Sequence, residues 1–382
     1  MTYLDHAATT GVHPQVAAAY LQELDRLGNP SSMHGPGRRS RQVVEEARES
    51  IAADLGAHPT EVIFTSGGTE ADNLAVLGTW FGRPDSQVVA ISAVEHHAVL
   101  EAAHALGATH GAQVVEVAVD ESGVVQPSAL EPHLSRVTQV AVMWANNESG
   151  ALQPILEVVE LAAAHGIPVH SDAVQAVGRI PIDFAASGLT SLALSGHKLG
   201  APVGLGALLA KRDAVIAPVL HGGGQERGVR SGTLNSAGAH ALALAIRLAV
   251  AGQGAEAVRL AGLRDQLQDG IVASVPDVQV RSAAVDRLPG HLLLTIAGTD
   301  ADAVLFGLDA AGIAASSGSA CTAGVTQPSH VLVAMGEDAR VARSALRLTL
   351  GRTSAIADVD HVLAVLPGVV QRARAAARVG VS

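Results

Sequence analysis

Apolar, β-rich runs alternate with helical patterns through more than half of this chain, and no other feature restricts the fold as much. Val62–Thr65, Val88–Ser92, Val114–Val119, Gln139–Trp144, Pro168–Ser171, Ser191–Leu194 and Gly206–Ala210 read as buried strands. Between most of them lie helix candidates at Glu70–Gly78, His96–Leu106, Ser128–Leu134 and Ile155–His165, and a charged amphipathic helix, Arg38–Leu55, precedes the first strand. Strands that read as continuous apolar runs are covered on both faces, and short strand–helix links imply crossovers, so the class is α/β with a mostly parallel seven-stranded sheet. The pattern changes after a helical stretch near Thr233–Val250. A Gln/Asp-rich helical piece, Leu260–Gly270, leads to a strand at His291–Ile296, a helix at Asp302–Ala311, a Gly/Ser loop, a strand at Ala345–Leu350 and a last helix. The division predicted is a large domain over 15–250 and a smaller α+β domain made of 1–14 and 251–382, carrying Cys321 and Arg347.

Charge and composition narrow the function classes. A net charge of −11 excludes bulk attraction to nucleic acid, and 2% aromatic residues exclude base-stacking platforms. The start MTYLDHAATT has no basic and apolar leader pattern, and no run of about 18 apolar residues occurs; Ala237–Val250 carries His240 and Arg247. A single cysteine, Cys321, rules out an internal disulfide and fits a reducing compartment, so the expected location is cytoplasmic, with no membrane partner.

Of 25 basic residues only two are lysines, Lys198 and Lys211. A lysine retained in so arginine-rich a chain is a candidate for chemistry that a permanently protonated guanidinium cannot do. Lys211, in Lys211-Arg212-Asp213, reads as a solvated strand end. Lys198 closes Ser195-Gly196-His197-Lys198 after an apolar strand, and a lysine partly desolvated there can act as a Schiff-base nucleophile. Upstream, Thr65-Ser66-Gly67-Gly68-Thr69-Glu70 ends a strand and opens a helix, which suits a phosphate held by helix N–H groups and the Thr69 hydroxyl; an ordinary strand–helix turn is the other reading. Asp172 ends the run PVHSDAVQ, either in the ligand crevice of an α/β sheet or as a cap for the next helix. Arg347 is flanked by apolar residues on a strand, so its guanidinium needs an anion: a bound α-carboxylate or a structural acid. His96 and His97 are adjacent and lack HExxH or CxxC spacing, so a metal site is not expected.

The ordered motifs YLDHAATT, GNPSSMHG, TSGGTEADN, EHHAV, NNESG, SDAVQAVG, SGHK, HGGGQERGVRSGT, SSGSACTAG and LRLTLG resemble the cysteine desulfurases, class V aminotransferases among the fold-type I pyridoxal phosphate (PLP) enzymes. The likeness runs from Tyr3 to Gly351, and the SSGSACT form resembles the long-loop branch. It implies that Lys198 forms the Schiff base to PLP, that Asp172 pairs with the pyridine nitrogen, and that Asn147 and Gln175 sit beside the phenolic oxygen. It implies that Gly68, Thr69, Ser195 and His197 hold the phosphate, that His96 stacks on the ring and serves as acid/base, and that Arg347, with Asn147, binds the substrate. Thr233 would reach the phosphate of the other subunit of a homodimer. L-cysteine would be the substrate, alanine the product, and Cys321 the persulfide carrier to acceptor proteins in iron–sulfur cluster assembly or tRNA thiolation; its only metal role would be as a transient iron–sulfur ligand. Selenocysteine lyase, a plain aminotransferase of the same fold and a non-catalytic sulfur-transfer scaffold are the alternatives. Gly67-Gly68 departs from the Gly-Ala common in the family.

Overall fold

The computed structural model of the chain describes residues 1–379 except 84, 86, 319, 320, 323 and 324, and at 321, 322, 325, 326 and 379 the backbone alone. The chain opens with a two-residue strand β1 (Thr2–Tyr3) and helices α1 (Pro14–Leu24) and α2 (Gly35–Leu55). The strand–helix alternation then gives β2 (Val62–Thr65), α3 (Gly68–Gly82), β3 (Val88–Ser92), α4 (His97–His110), β4 (Gln113–Val117), β5 (Gln139–Ala141), α5 (Ile155–Ala163), β6 (Val169–Asp172), α6 (Phe184–Ser187), β7 (Ser191–Ser195) and β8 (Gly206–Ala210). The seven strands pair in the order β2-β8-β7-β6-β5-β3-β4. β8 alone runs antiparallel, to both β2 and β7. Its link from β7, residues 196–205, holds no crossover helix, and a parallel return needs one. Because the other strands are parallel, the C-terminal ends of β2, β3, β5, β6 and β7 share one edge of the sheet, where α/β folds bind ligands.

Two expected helices differ. Ser128–Leu134 is a pair of tight turns, Pro127–Ala129 and Glu131–His133, because Pro127 and Pro132 each remove a backbone donor from a helix too short to bear the loss. The pieces Thr233–Val250 and Leu260–Gly270 are one unbroken helix, α7 (Ser236–Ser274). Asn235 caps it, accepting from the Gly238 N–H, and an interior rich in Ala, Leu and Arg with no proline sustains it. Its first half buries Ala241, Leu242, Ala245 and Ile246 against the sheet body, and its second half buries Leu260, Leu267 and Ile271 in a separate core. The expected boundary at 250 therefore falls inside a continuous element. By length and composition α7 could cross a membrane; here it packs on α1 and α2.

The second core is built on an antiparallel sheet of β9 (Val278–Val280), β10 (His291–Ile296) and a distant strand, Ala345–Thr349, in the centre of which lies Arg347. Between them come α8 (Ala301–Asp309), β11 (Ile313–Ala314), the hairpin β12 (Cys321–Thr322) and β13 (Val325–Thr326), and α9 (His330–Ala334) and α10 (Ala339–Ala342). Ala345–Thr349 is thus β14, and α11 (Ile356–Val379) closes the chain. β1 pairs with β11, and Leu4 joins this core. The N-terminal segment is thereby carried from the second body across to the sheet edge.

Candidate active site

A cavity of about 400 Å³ lies at the C-terminal edge of the sheet. Gly68, Thr69, His96, Asn147, Asp172, Gln175, Ser195, His197, Lys198 and Arg347 all line it, so ten residues singled out from sequence converge there. The walls also include Ala7, Ala8, Asp72, His97, Glu148 and His330, which sequence reasoning did not assign to a site. His97, Asp72, Glu148 and the YLDHAATT segment fall within the ordered motifs but were given no role there; nothing local marks His330 as facing a cavity.

Each side chain is set by a strand end. β2 runs into Gly67, which precedes α3 with φ +155°, a conformation open to glycine. A Cβ on Gly68 would lie 2.7 Å from Val174 Cγ2, so the backbone approaches the cavity closely at the helix N-terminus. After β3, His96 caps α4: its Nδ1 accepts from the Ala98 N–H at 3.1 Å, so in the neutral ring Nε2 carries the proton. Asp172 ends β6 with one oxygen accepting from the Val174 N–H at 2.8 Å, a turn bond that leaves the other oxygen for a ligand. Lys198, in the turn after β7, donates to the carbonyls of Ala7 at 2.5 Å and Ala8 at 2.6 Å. His197 Nδ1 lies 3.2 Å from Thr9 Oγ1.

Burial and mutual charge set the protonation. Burial, then Arg179 and Arg347, push the Lys198 amine down to about 8, against the pull of Asp172 and Asp5. Burial raises Asp172, while His96, the Val174 N–H and Lys198 draw it back. His197 is pushed down to about 4 by burial and by Lys198 and is neutral at pH 7. One atom each of Asp72, His96 and Asp172 lies within 4.8 Å of the others, a metal-like spacing. Burial raises both carboxyl groups, and the Asp172 charge raises Asp72 further.

Arg347 is answered twice. Its guanidinium pairs with Asp5 at 2.8 Å and donates to the Asn147 carbonyl at 3.0 Å, so a structural acid is present; its buried Nε has no partner among the described residues. Asn147 Oδ1 is likewise buried without a partner there. Two such orphans opposite a helix N-terminus, a strand-end acid and a lysine of lowered basicity are what a phosphorylated pyridine aldehyde and an amino-acid carboxylate would satisfy. PLP therefore fits the residues present.

Thr233 is exposed and lines a separate hollow of about 210 Å³ with Thr65, Ser66, Arg230 and Asn235, not the Lys198 cavity of its own chain. The Cys321 side chain lies outside the described residues. The chain on either side of its hairpin reaches the cavity: the Ser316 backbone bridges to Arg347, Gly318 lines the wall, and the Ser329 hydroxyl donates to the buried Glu148 carboxylate at 2.5 Å.

The aminotransferase class-V family model matches residues 2–362. An IscS-like cysteine desulfurase of Mycobacterium tuberculosis is 50% identical over 99% of this chain and 98% of its own. The cysteine desulfurase IscS of Dictyoglomus turgidum is 39% identical over 97% and 95%. Among solved structures, a NifS-like protein superposes with a TM-score of 0.90 at 31% identity, covering 97% of this chain and 99% of that one. The NifS-like protein of Rickettsia africae gives 0.88 at 33%, with the same coverage. The chain belongs to the class-V aminotransferase family and, within it, to the PLP-dependent cysteine desulfurases.

Proposed function

We propose that this protein removes sulfur from free L-cysteine, releasing L-alanine and leaving the sulfur as a persulfide on Cys321. One observation carries the reading: Lys198, Asp172, His96 and Arg347 meet in a single cavity whose wall is continued by Gly318 and His330, on either side of the Cys321 hairpin. PLP, when bound, supplies an electron sink for the pair released as the substrate α-carbon loses its proton. Gly68, Thr69, Ser195 and His197 would hold its phosphate, Asp172 its ring nitrogen, and Asn147 and Gln175 its phenolic oxygen. Arg347 receives the substrate carboxylate through Nε and the Nη2 now on Asp5, which orients the α-hydrogen toward Lys198. Lys198 removes that proton as the general base, a role suited to an amine that titrates near 8. His96, with the proton on Nε2, exchanges protons with the substrate thiol. The Cys321 thiolate attacks the substrate sulfur; an S–S bond forms and the C–S bond breaks with its electron pair leaving on carbon, and a proton added there together with the α-proton handed back by Lys198 completes alanine. We infer also a homodimer in which Thr233 completes the partner's phosphate site, in a reducing compartment such as the cytoplasm, with acceptor proteins taking the sulfur on toward iron–sulfur clusters or thiolated tRNA.

A pulse of cysteine followed by mass spectrometry tests the central claim. Wild type should gain one sulfur atom on the peptide containing Cys321, whereas Cys321→Ser should still bind PLP and cysteine yet yield almost no alanine. Sustained alanine and sulfide production by the serine variant would make Cys321 dispensable and the protein a lyase.

A further inference from the structure

Behind Lys198 the cavity floor gathers positive charge around a side chain with no part in the steps above. Arg179, in the turn after β6, donates through Nη1 to the Gln175 carbonyl at 2.8 Å and to the Gln175 side-chain oxygen, and through Nη2 to the His6 carbonyl at 3.3 Å. Gln175 Nε2 in turn donates at 2.9 Å to the Ala7 carbonyl, the same oxygen that receives Lys198 Nζ at 2.5 Å. The guanidinium is therefore one glutamine side chain and one carbonyl away from the reactive amine. The other groups acting on that amine are Arg347 from β14, Asp172 from β6, Asp5 from the N-terminal segment, His197 beside it, His96 at the start of α4 and His291 from β10, while His6 faces Arg179 itself. Asp5 is paired with Arg347 at 2.8 Å and Asp172 is bonded to the Val174 N–H. Arg179 bonds only neutral oxygens and has no acid partner among the described residues.

We propose that Arg179 is a positioning residue whose uncompensated charge enlarges the neutral fraction of the Lys198 amine, the form that adds to a carbonyl and accepts a proton. A second cation beside a lysine favours its neutral form, and in a half-buried site the effect is weakly screened. Among the charges acting on Lys198, Arg179 opposes protonation most, ahead of Arg347. Burial and the charge of Arg347 push Arg179 itself down to about 10. The carbonyl bonds of Arg179 also tie His6 and Gln175 into the cavity wall, so charge and tether must be separated by experiment.

The chain's two lysines make the test clean. Full-length protein stripped of PLP is trace-labelled with acetic anhydride across pH, and Lys198 is read against Lys211 peptide by peptide. Wild-type Lys198 should become reactive as pH rises through about 8. Arg179→Gln should move that rise up by about half to one pH unit, a roughly three- to tenfold loss of relative labelling at pH 7. Arg179→Lys, which keeps the charge, should leave it within a few tenths of a unit. Arg179→Met reads the same upward shift should the glutamine variant be unstable. In loaded enzyme the acid limb of the kcat–pH profile should move the same way. An unchanged Lys198 profile in the uncharged variants would overturn the proposal, and equal shifts in the glutamine and lysine variants would reduce Arg179 to a tether. The proposal rests on Lys198 being the reactive lysine, but labelling reports its basicity whether or not the protein desulfurates cysteine, so the two failures are distinguishable.

Discussion

Lys198 and Arg347 carry the residue-scale expectations most directly. Lys198 faces the cavity, whereas Lys211 donates at 2.8 Å to the Gly188 carbonyl, outside it. Lys198→Ala should therefore abolish the visible absorbance of PLP-loaded protein while Lys211→Ala keeps it; the reverse result would move the Schiff base to Lys211. Arg347 uses Nη1 for the Asn147 carbonyl and Nη2 for Asp5, leaving Nε buried and open. A lysine ammonium cannot hold that planar fork. Arg347→Lys should raise KM for cysteine about ten- to a hundredfold, the value of a charge-assisted bond of roughly 1.5–3 kcal/mol. An unchanged KM would mean that another group anchors the carboxylate. Both residues were legible in sequence because chemistry and neighbours conflict there: a lone lysine among arginines, a guanidinium in an apolar strand. Asp5 and Arg179 were not, since an acid near a terminus and an arginine in a turn look solvated until other segments close over them.

At the scale of elements, the turn from β2 into α3 depends on its neighbour strand. β8 brings Gly206 against Gly67, and a Cβ on Gly206 would lie 2.6 Å from Gly67 Cα, 2.7 Å from Gly67 C and 2.8 Å from the Leu194 carbonyl oxygen. All three are backbone atoms, so no side chain can move aside. Gly206→Ala should cost about 1–3 kcal/mol of stability in urea denaturation and weaken PLP retention, because relief must come from shifting the Gly67–Gly68 turn. A variant as stable as wild type, with normal PLP retention, would show that the turn is not so constrained. The Ser66–Glu70 turn is visible in sequence as a glycine-rich strand–helix junction; the clamp on it is not. The buried Glu226 accepts from the Phe64 N–H and from Arg48, and Arg230 donates to Glu70 at 2.6 Å, from a loop more than 150 residues away.

For the whole molecule, pH exposes the cost of burying an acid. Glu95 Oε1 accepts from Ser92 Oγ and the Met143 N–H, both at 2.6 Å, while Oε2 has no partner among the described residues. Burial pushes Glu95 up to about 8, against those two bonds. Its retained proton stabilises the fold fully below the unfolded value of about 4.3, and that contribution is lost as pH rises through about 8. In PLP-free protein, Glu95→Gln should gain stability relative to wild type between pH 5 and pH 8, by up to several kcal/mol at about 1.4 kcal/mol per unit. The buried His6 and His170, pushed down to about 4 and about 3, slope the opposite way but cancel in the comparison. A pH-independent difference in urea midpoints would mean that Glu95 is ionised in the fold. By itself the sequence determined the α/β class, the strands and the set of motifs at their C-terminal ends, because hydrophobic period and turn chemistry are written locally along the chain. Only the tertiary structure decided that β8 reverses and that α7 runs unbroken through both cores. It alone brought Asp5 to Arg347 and Arg179 behind Lys198. Those outcomes depend on contacts between segments far apart in sequence, where no local pattern records which surfaces meet.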